Sequence, residues 1–197
     1  MRVAVVVLAG GGSRRWGGRD KTAVPLAGRP VLEHAVTGLA VGAGVRLGDV
    51  VVVAPPDHPA RAGLAGARWV REEPPGGGPV AGLAAAVAAL AGSHDLLVVG
   101  AGDAPFAGEA VPALLDAVAP GFDGALGVDA EGREQPLLAV YRAAAFGAAL
   151  SASRPGGRLR DVVATLRLAR VPVGPRAALD LDTPADLALA EHLLTPP

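Results

Sequence analysis

The segment VAVVVLAGGGSRRWGGRDK, residues 3–21, decides the fold expected for this chain. Its first six residues, Val3 to Leu8, are apolar without alternation, a pattern typical of a strand buried on both faces at the centre of a parallel sheet. The glycines that follow allow a sharp turn and bring backbone N–H groups close to a ligand. Because ligands bind beyond the carboxyl ends of the strands in such sheets, we expect this turn to line a crevice.

The charges around this turn favour a polyphosphate as the ligand. Arg14, Arg15 and Lys21 supply positive charge beside the glycines. A Walker A loop is excluded because Gly12 is not followed by the required spacing to Gly-Lys-Ser/Thr, and a dinucleotide fingerprint is excluded because Arg15 stands where its third glycine should be. The remaining alternative is a turn that only reverses the chain, which the flanking cations disfavour.

Composition limits the classes of protein that the chain can belong to. Its 197 residues are 51% hydrophobic and 19% charged, which favours a single folded α/β domain over residues 1–197. A net charge of −1 argues against nucleic-acid binding. With no cysteine, disulfides, thiolate metal sites and a cysteine nucleophile are excluded. The apolar run at the start is too short for a signal or a membrane span, so we expect a cytoplasmic protein with no membrane contact.

The four histidines are dispersed along the chain. They lack the i, i+4 spacing of a zinc-binding helix. Each is therefore predicted to lie at the surface or at a helix end. They are His34, His58, His94 and His192.

Strand and helix patterns alternate along the chain. They predict a three-layer α/β fold, Rossmann-like, whose mostly parallel sheet carries helices on both faces. Asp103 lies just past the carboxyl end of the predicted strand 95–99, so we expect it on the same rim as the glycine-rich turn. The predicted strands are 3–8, 49–53, 68–70, 95–99, 124–128, 136–141 and 169–173, and the predicted helices are 31–43, 59–64, 80–91, 109–119, 143–151, 159–166 and 184–194.

A series of motifs extends over nearly the whole chain. The set resembles the molybdenum cofactor guanylyltransferase family, MobA-like nucleotidyltransferases with the GT-A-like fold of nucleotide-diphospho-sugar transferases. Several motifs in the same order are far more specific than any one of them. They are LAGGGSRRWGGRDK with PLAGRPVLEHAV (8–21 and 25–36), GPVAG (78–82), GDAPF (102–106), QPL (135–137) and DTPADL (182–187).

This resemblance implies a reaction, its substrates and a cofactor. The family transfers GMP from GTP to molybdopterin and releases pyrophosphate with Mg²⁺, so the expected partners are GTP, molybdopterin or a related phosphorylated acceptor, and a protein of molybdoenzyme maturation. A cytidylyltransferase on the same pterin and a sugar-phosphate nucleotidyltransferase remain alternatives. A non-catalytic nucleotide-binding adaptor is a further one, which the presence of Arg15, Lys21 and Asp103 together disfavours.

The resemblance also assigns roles on the nucleotide side. Arg15 and Lys21 match the family's phosphate-contacting cations, and Asp103 matches its magnesium ligand, so these three are the predicted catalytic residues. From the sequence alone, Asp103 could instead cap the helix that follows it. The predicted nucleotide-binding residues are Leu8, Ala9, Gly10, Gly11, Lys21, Glu73, Gly78, Gly82 and Asp103.

Two further acids have open alternatives. Asp182 is a second candidate metal ligand, yet Asp182 or Thr183 could equally be the N-cap of the last helix. Glu73, or in second place Glu72, matches the family's base-binding acid. The family's base-side asparagine is absent, since Val-Ala-Pro occupies 53–55, and this departure leaves guanine specificity open.

Candidate acceptor residues lie in the second half of the chain. Gln135 begins a predicted strand and could hydrogen-bond the edge of a pterin. Arg158 and Arg160 flank a predicted helix start, where an anionic phosphate could bind. A solvated helix end is the alternative for both arginines.

Overall fold

Strands and helices alternate along residues 1–10, 16–72, 76–154 and 156–194, the part of the chain that the computed structural model describes. The strands are β1 (Val3–Leu8), β2 (Pro25–Leu26), β3 (Arg29–Pro30), β4 (Val50–Val53), β5 (Arg68–Val70), β6 (Leu96–Ala101), β7 (Gly124–Val128), β8 (Glu134–Arg142) and β9 (Leu168–Pro172). The helices are α1 (Val31–Ala43), α2 (Gly78–Leu90), α3 (Val111–Asp116), α4 (Ala143–Ala152), α5 (Leu159–Val163) and α6 (Pro184–Leu194). Short 3₁₀ turns occupy Lys21–Ala23, Leu47–Asp49, Pro59–Arg61 and Ala107–Ala110.

Within these described residues, seven strands form one sheet in the order β5-β4-β1-β6-β8-β7-β9, and β2 pairs with β3 in a separate hairpin. β1 is parallel to both of its neighbours, whereas β8 is antiparallel to β6 and β7. The predicted mostly parallel sheet is thus confirmed. Because β8 runs the other way, Leu138 pairs with Gly100 near the end of β6, so the start of β8 lies at the carboxyl rim of the parallel strands.

The central strand β1 is buried on both faces, as its unbroken apolar run predicts. Val5 and Val7 pack on one side with residues of α1 and α3, and Ala4 and Val6 pack on the other with residues of α2, α4 and α5. The helices therefore cover both faces of the sheet, and the three-layer prediction is confirmed. No helix in the described ranges has the length and apolarity that crossing a bilayer requires.

Several predicted boundaries differ from the structure. The helices over 31–43 and 184–194 are confirmed, but α2 begins at Gly78, two residues before the predicted start, because a helix tolerates Pro79 in its first turn. The predicted helix 109–119 is wrong at both ends: a 3₁₀ turn precedes α3, which ends at Asp116. The predicted helix 159–166 ends at Val163, where i to i−3 hydrogen bonds tighten the last turn.

A small apolar cluster, here called the rim cluster, lies apart from the two main cores. It joins the β2-β3 hairpin, the segment after β6, and α6, three parts of the chain that are distant in sequence. Each of these parts lies close in sequence to one of the charged residues described below. By packing the parts together, the rim cluster fixes the relative positions of those charged residues. Its buried members are Leu26, Val31, Phe106, Leu181 and Ala190.

The segment after β6 approaches α1 too closely for any side chain at Gly108. A Cβ there would lie 2.1 Å from the carbonyl oxygen of Gly38. Since both contacting groups are backbone, we expect Gly108→Ala to lower the free energy of unfolding by about 1 to 3 kcal/mol. Gly147→Ala is the matched control, because a Cβ at Gly147 meets only Val87 at 3.5 Å inside α4. Urea unfolding of both variants measures the difference, and equal stability of the two would contradict this packing.

Candidate active site

A cleft of about 560 Å³ opens at the carboxyl ends of β1, β4 and β6. This volume is in the range of small-molecule sites, and the position is where open α/β sheets bind ligands. Gly11 and Glu73, also predicted to bind the nucleotide, and Arg15, predicted to be catalytic, lie outside the described residues. The cleft is lined by the predicted residues Leu8, Ala9, Gly10, Lys21, Gly78, Gly82 and Asp103.

One cation and two carboxylates meet at the rim of the cleft. The Lys21 ammonium group forms ion pairs with Asp103 and with Asp182, the latter at 2.7 Å between Nζ and Oδ1. Lys21 and Asp103 are mostly buried, whereas half of the Asp182 side chain is exposed. The structure therefore brings together three residues that the sequence analysis selected from separate motifs.

Backbone hydrogen bonds place Asp103 at this point. The N–H of Gly102 donates to the carbonyl of Leu8 at 2.8 Å, and the N–H of Leu181 donates to the carbonyl of Asp103 at 2.9 Å. The carboxylate of Asp103 is directed to Lys21, and the next 3₁₀ turn has Phe106, not Asp103, at its N-cap. The alternative that Asp103 is a helix cap is wrong.

The N-cap of α6 is Thr183, not Asp182. Thr183 Oγ1 accepts from the N–H of Asp186 at 3.3 Å, and Asp186 Oδ2 accepts from the N–H of Thr183 at 2.7 Å. This reciprocal pair is a capping box. Because Thr183 carries the capping role, the Asp182 carboxylate is left to interact with Lys21.

The charges around Lys21 change two pKa values. Burial alone would lower the pKa of Lys21, but hydrogen bonds and ion pairs with Asp103 and Asp182 outweigh it and raise that pKa. Asp180 is exposed as a residue, yet the protein crowds its carboxyl group. This partial desolvation, followed by repulsion from Asp103, raises the pKa of Asp180 to about 6, although Lys21 opposes the shift.

Glycines shape the wall that the start of α2 contributes. Gly76 and Gly78 have φ of +81° and +79°, a region that favours glycine. Gly82 faces the end of β1, where a Cβ would lie 3.1 Å from Leu8 Cδ2. The Glu72 side chain accepts a 2.6 Å hydrogen bond from the N–H of Gly76. The first turn of α2 can therefore approach a ligand closely with its backbone.

A second pocket of about 200 Å³ adjoins the cleft. Ala101, Asp103 and Leu137 line both cavities, so Asp103 stands between them. Gln135, the predicted acceptor residue, lines the second pocket together with Asp180. The Gln135 amide donates to Asp129 Oδ2 at 2.9 Å, which fixes its orientation.

Similarity to known proteins identifies the family of this chain. The family profile of the MobA-like NTP transferase domain matches residues 5–171. The chain belongs to the MobA-like NTP transferase family. It is therefore a nucleotidyltransferase, and the resemblance found in the sequence is confirmed.

Relatives of this MobA-like chain align with it over almost their whole length. A protein of Cereibacter sphaeroides named molybdenum cofactor guanylyltransferase is 36% identical over 201 aligned positions, covering 98% of each chain. A solved structure from Archaeoglobus fulgidus, named molybdopterin-guanine dinucleotide biosynthesis protein A, superposes with a TM-score of 0.71 at 25% identity, covering 96% of this chain and 97% of the other. A 4-diphosphocytidyl-2C-methyl-D-erythritol synthase, 19% identical with a TM-score of 0.75 and 99% of both chains covered, shares the fold.

Two of the predicted acceptor residues of this MobA-like transferase lie away from both cavities. Arg158 is the N-cap of α5 and Arg160 lies in its first turn; both are exposed, and Arg160 Nε lies 3.8 Å from Asp161 Oδ1. Neither lines the cleft or the second pocket. The structure thus brings Gln135, but not these arginines, to the carboxyl rim, and their role in acceptor binding stays a prediction.

Sequence reasoning missed three residues near the cleft. Arg71 lines it directly after β5, where the strand-end rule could have indicated it. Asp180 lines the second pocket, and its only signal was its place two residues before Asp182. His58 was expected at the surface or a helix end; it caps a 3₁₀ turn but is buried, so the surface expectation is wrong.

The acids at the rim could hold a cation only with help from a ligand. Among the residues that the structure describes, no group of three or more His, Asp or Glu side chains is arranged to hold a metal ion. Asp103 and Asp182 nevertheless share one cation, Lys21, so their oxygens lie within reach of a single centre. Magnesium is commonly held by one or two carboxylates plus substrate phosphates, so this donor set fits a magnesium-nucleotide complex.

Proposed function

We propose that this MobA-like chain transfers GMP from GTP to the phosphate of molybdopterin and releases pyrophosphate. The observation that carries the proposal is the junction of two cavities at Asp103, a large one lined by glycines and Lys21 and a smaller one lined by Gln135. A transfer between two substrates requires neighbouring sites that share the reacting position. The names of the relatives supply the nucleotide and the pterin.

In the proposed reaction, a phosphate oxygen of the acceptor attacks the α-phosphorus of GTP. A new P–O bond forms to the acceptor, and the bond from the α-phosphorus to the bridging oxygen of the β-phosphate breaks. The bonding electrons leave with pyrophosphate. Since no covalent enzyme intermediate is needed, the protein accelerates the step by positioning both substrates and by stabilising charge.

Lys21 and the start of α2 would hold the triphosphate. The ammonium group of Lys21 projects into the cleft at the level of the β1 and β6 strand ends. The α2 helix is 13 residues long, and its first turn, with Gly78 and Pro79, lines the same cleft. Helix N-termini favour phosphate because their N–H groups lack intrahelical partners. Both groups therefore stabilise negative charge as it develops on the leaving pyrophosphate.

Asp103 and Asp182 are the residues proposed to hold magnesium. When bound, the ion would neutralise phosphate charge between the two cavities. In the structure Lys21 neutralises the same two carboxylates. A triphosphate that draws the ammonium group to itself would leave the two acids to a different cation.

Gln135 is proposed to orient the acceptor. It stands at the start of β8, which reaches the rim because β8 is antiparallel to β6. With its amide nitrogen donating to Asp129, its amide oxygen is left to accept from an N–H group of the pterin. Asp129 itself accepts from the backbone N–H groups of Glu131 and Arg133, which holds the amide-binding carboxylate in place.

We expect GTP to bind more tightly than ATP, CTP or UTP, each measured with magnesium by calorimetry. An acid that accepts from guanine N1–H and the 2-amine contributes roughly 1.5 to 3 kcal/mol, or about one to two decades in affinity. Glu73 is the predicted acid, and Glu72, which lines the cleft, is second. The strand end Val53 to Pro55, where the family's base-side asparagine would stand, lines the cleft without a side-chain amide, so we expect the difference in affinity to be small.

Matched variants separate the contributions to this preference. Glu73→Gln should reduce the difference in affinity between GTP and the other three triphosphates. Glu72→Gln should change the affinities for all four triphosphates alike, since the Glu72 side chain accepts from the N–H of Gly76. Equal dissociation constants for the four triphosphates would remove the guanylyl assignment. A preference for CTP would favour the cytidylyltransferase alternative. The cytoplasmic location and a protein partner in molybdoenzyme maturation stay predictions.

A further inference from the structure

A buried histidine lies beneath the turn that carries Lys21, and the proposed reaction does not use it. The His58 side chain is 1% exposed. Its Nδ1 accepts a 3.2 Å hydrogen bond from the N–H of Ala60, which makes His58 the N-cap of the 3₁₀ turn Pro59–Arg61. A backbone N–H can only donate, so Nδ1 carries no hydrogen in this arrangement. The imidazole hydrogen of the neutral ring is therefore on Nε2.

A chain of hydrogen bonds runs from His58 to the turn of Lys21. His58 Nε2 lies 2.9 Å from Thr22 Oγ1, and Thr22 Oγ1 lies 2.7 Å from Asp20 Oδ1. With its hydrogen on Nε2, the ring donates to the hydroxyl, and the hydroxyl donates to the carboxylate. Asp20 also accepts from the N–H of Thr22 at 2.9 Å, so both residues flanking Lys21 are held.

Burial keeps the imidazole in the form that this chain requires. It lowers the pKa of His58, although the carboxylates of Asp20 and Asp57 act in the opposite direction. The ring is therefore neutral near pH 7, and Nδ1 stays able to accept from Ala60.

We infer that His58 is a positioning residue of the phosphate site: through Thr22 and Asp20 it holds the turn that directs Lys21 to Asp103 at the rim of the cleft. The phosphate role of Lys21 is that of the proposed function, on which this inference rests. His58 also follows the strand end at Ala54 and Pro55, which lines the cleft. The N–H of His58 donates to the carbonyl of Pro55 at 3.3 Å, while its ring reaches the turn of Lys21 through Thr22.

Two substitutions at His58 separate its two hydrogen bonds. Asparagine places an acceptor near the position of Nδ1 and caps well, so His58→Asn keeps the bond to Ala60 and loses the reach to Thr22. Glutamine places an amide donor near the position of Nε2, so His58→Gln keeps the bond to Thr22 and loses the cap. His192→Asn, at an exposed position of α6, is the control for the substitution itself.

We expect the two His58 variants to rank in opposite orders in melting temperature and in kcat/KM for GTP. His58→Asn should melt at the higher temperature of the two variants, yet its kcat/KM for GTP should be about tenfold or more below that of His58→Gln, since small displacements of a reacting group cost this much or more. Measured in the presence of magnesium, GTP should likewise bind more tightly to His58→Gln than to His58→Asn. If activity instead follows melting temperature, or both variants lose activity equally, His58 is only a structural cap and the inference is overturned.

Thr22 provides a second pair if neither His58 variant folds. Thr22→Ser keeps a hydroxyl that can accept from His58 and donate to Asp20, whereas Thr22→Val keeps the shape without it. Thr22→Ser should exceed Thr22→Val by about tenfold in kcat/KM for GTP. Equal values would overturn the inference.

The binding measurement separates this inference from the proposed function. A wild-type chain that binds GTP with magnesium but transfers nothing to molybdopterin would remove the guanylyl-transfer assignment, while the ranking of the variants in GTP affinity would still test His58. A wild-type chain that binds no triphosphate would overturn both.

Discussion

Replacing Lys21 with alanine should lower kcat by about two to three orders of magnitude, because one preorganised contact to developing charge contributes about that much to the rate. Lys21 is the only lysine of the chain, and its ammonium group is held at the rim by two carboxylates. Pyrophosphate release at saturating GTP and acceptor measures the effect.

The fold should tolerate the change at Lys21. The side chain lies in the cleft and contributes to none of the three apolar clusters. Arg46→Ala is a suitable control, since it removes an exposed cation at the opposite end of the sheet, before β4. Near-normal turnover in Lys21→Ala, with Arg46→Ala also active, would refute the phosphate role of this lysine.

Asp103→Asn should reduce activity and raise the magnesium concentration needed for half-maximal rate. A neutral amide is a poorer ligand for a hard dication than a carboxylate. Asp103 also lines both cavities, so the substitution should lower kcat itself and not only raise the KM of one substrate. A titration of activity against magnesium measures both effects.

Stability distinguishes this role of Asp103 from a structural one. The backbone carbonyl that accepts from Leu181 is unchanged in Asp103→Asn, and the side chain caps no helix. The melting temperature should therefore change little. Asp116→Asn, an exposed acid at the end of α3, is the matched control. A large fall in melting temperature with an unchanged magnesium requirement would make Asp103 a structural residue only.

The parts of the site that sequence could predict are those set by local pattern. The unbroken apolar run of β1 predicted a strand buried on both faces, and the strand-end rule placed Asp103 near the glycine-rich turn. Both inferences need only a few neighbouring residues and the geometry of parallel sheets. Motif resemblance added Lys21, Gly78, Gly82 and Gln135, all of which line the two cavities.

The parts that sequence could not predict depend on distant contacts. Asp182 meets Lys21 across 161 positions of chain, and the local Asp-Thr-Pro pattern indicated a helix cap equally well. Only the tertiary structure shows that Thr183 takes the cap. His58 gave no local signal either, since its burial comes from contacts with Thr22 and Trp69.

The rim cluster has a consequence for folding. It joins Leu26, Phe106 and Leu181, which lie near the residues of the Lys21–Asp182 pair, and that pair closes a loop of 161 positions. Contacts that close long loops form late, because chain entropy must be lost before they stabilise anything. The main sheet can therefore assemble before the site is complete. Partial unfolding that releases only α6 would likewise leave the sheet intact while removing Asp182, so loss of the site need not follow loss of the fold.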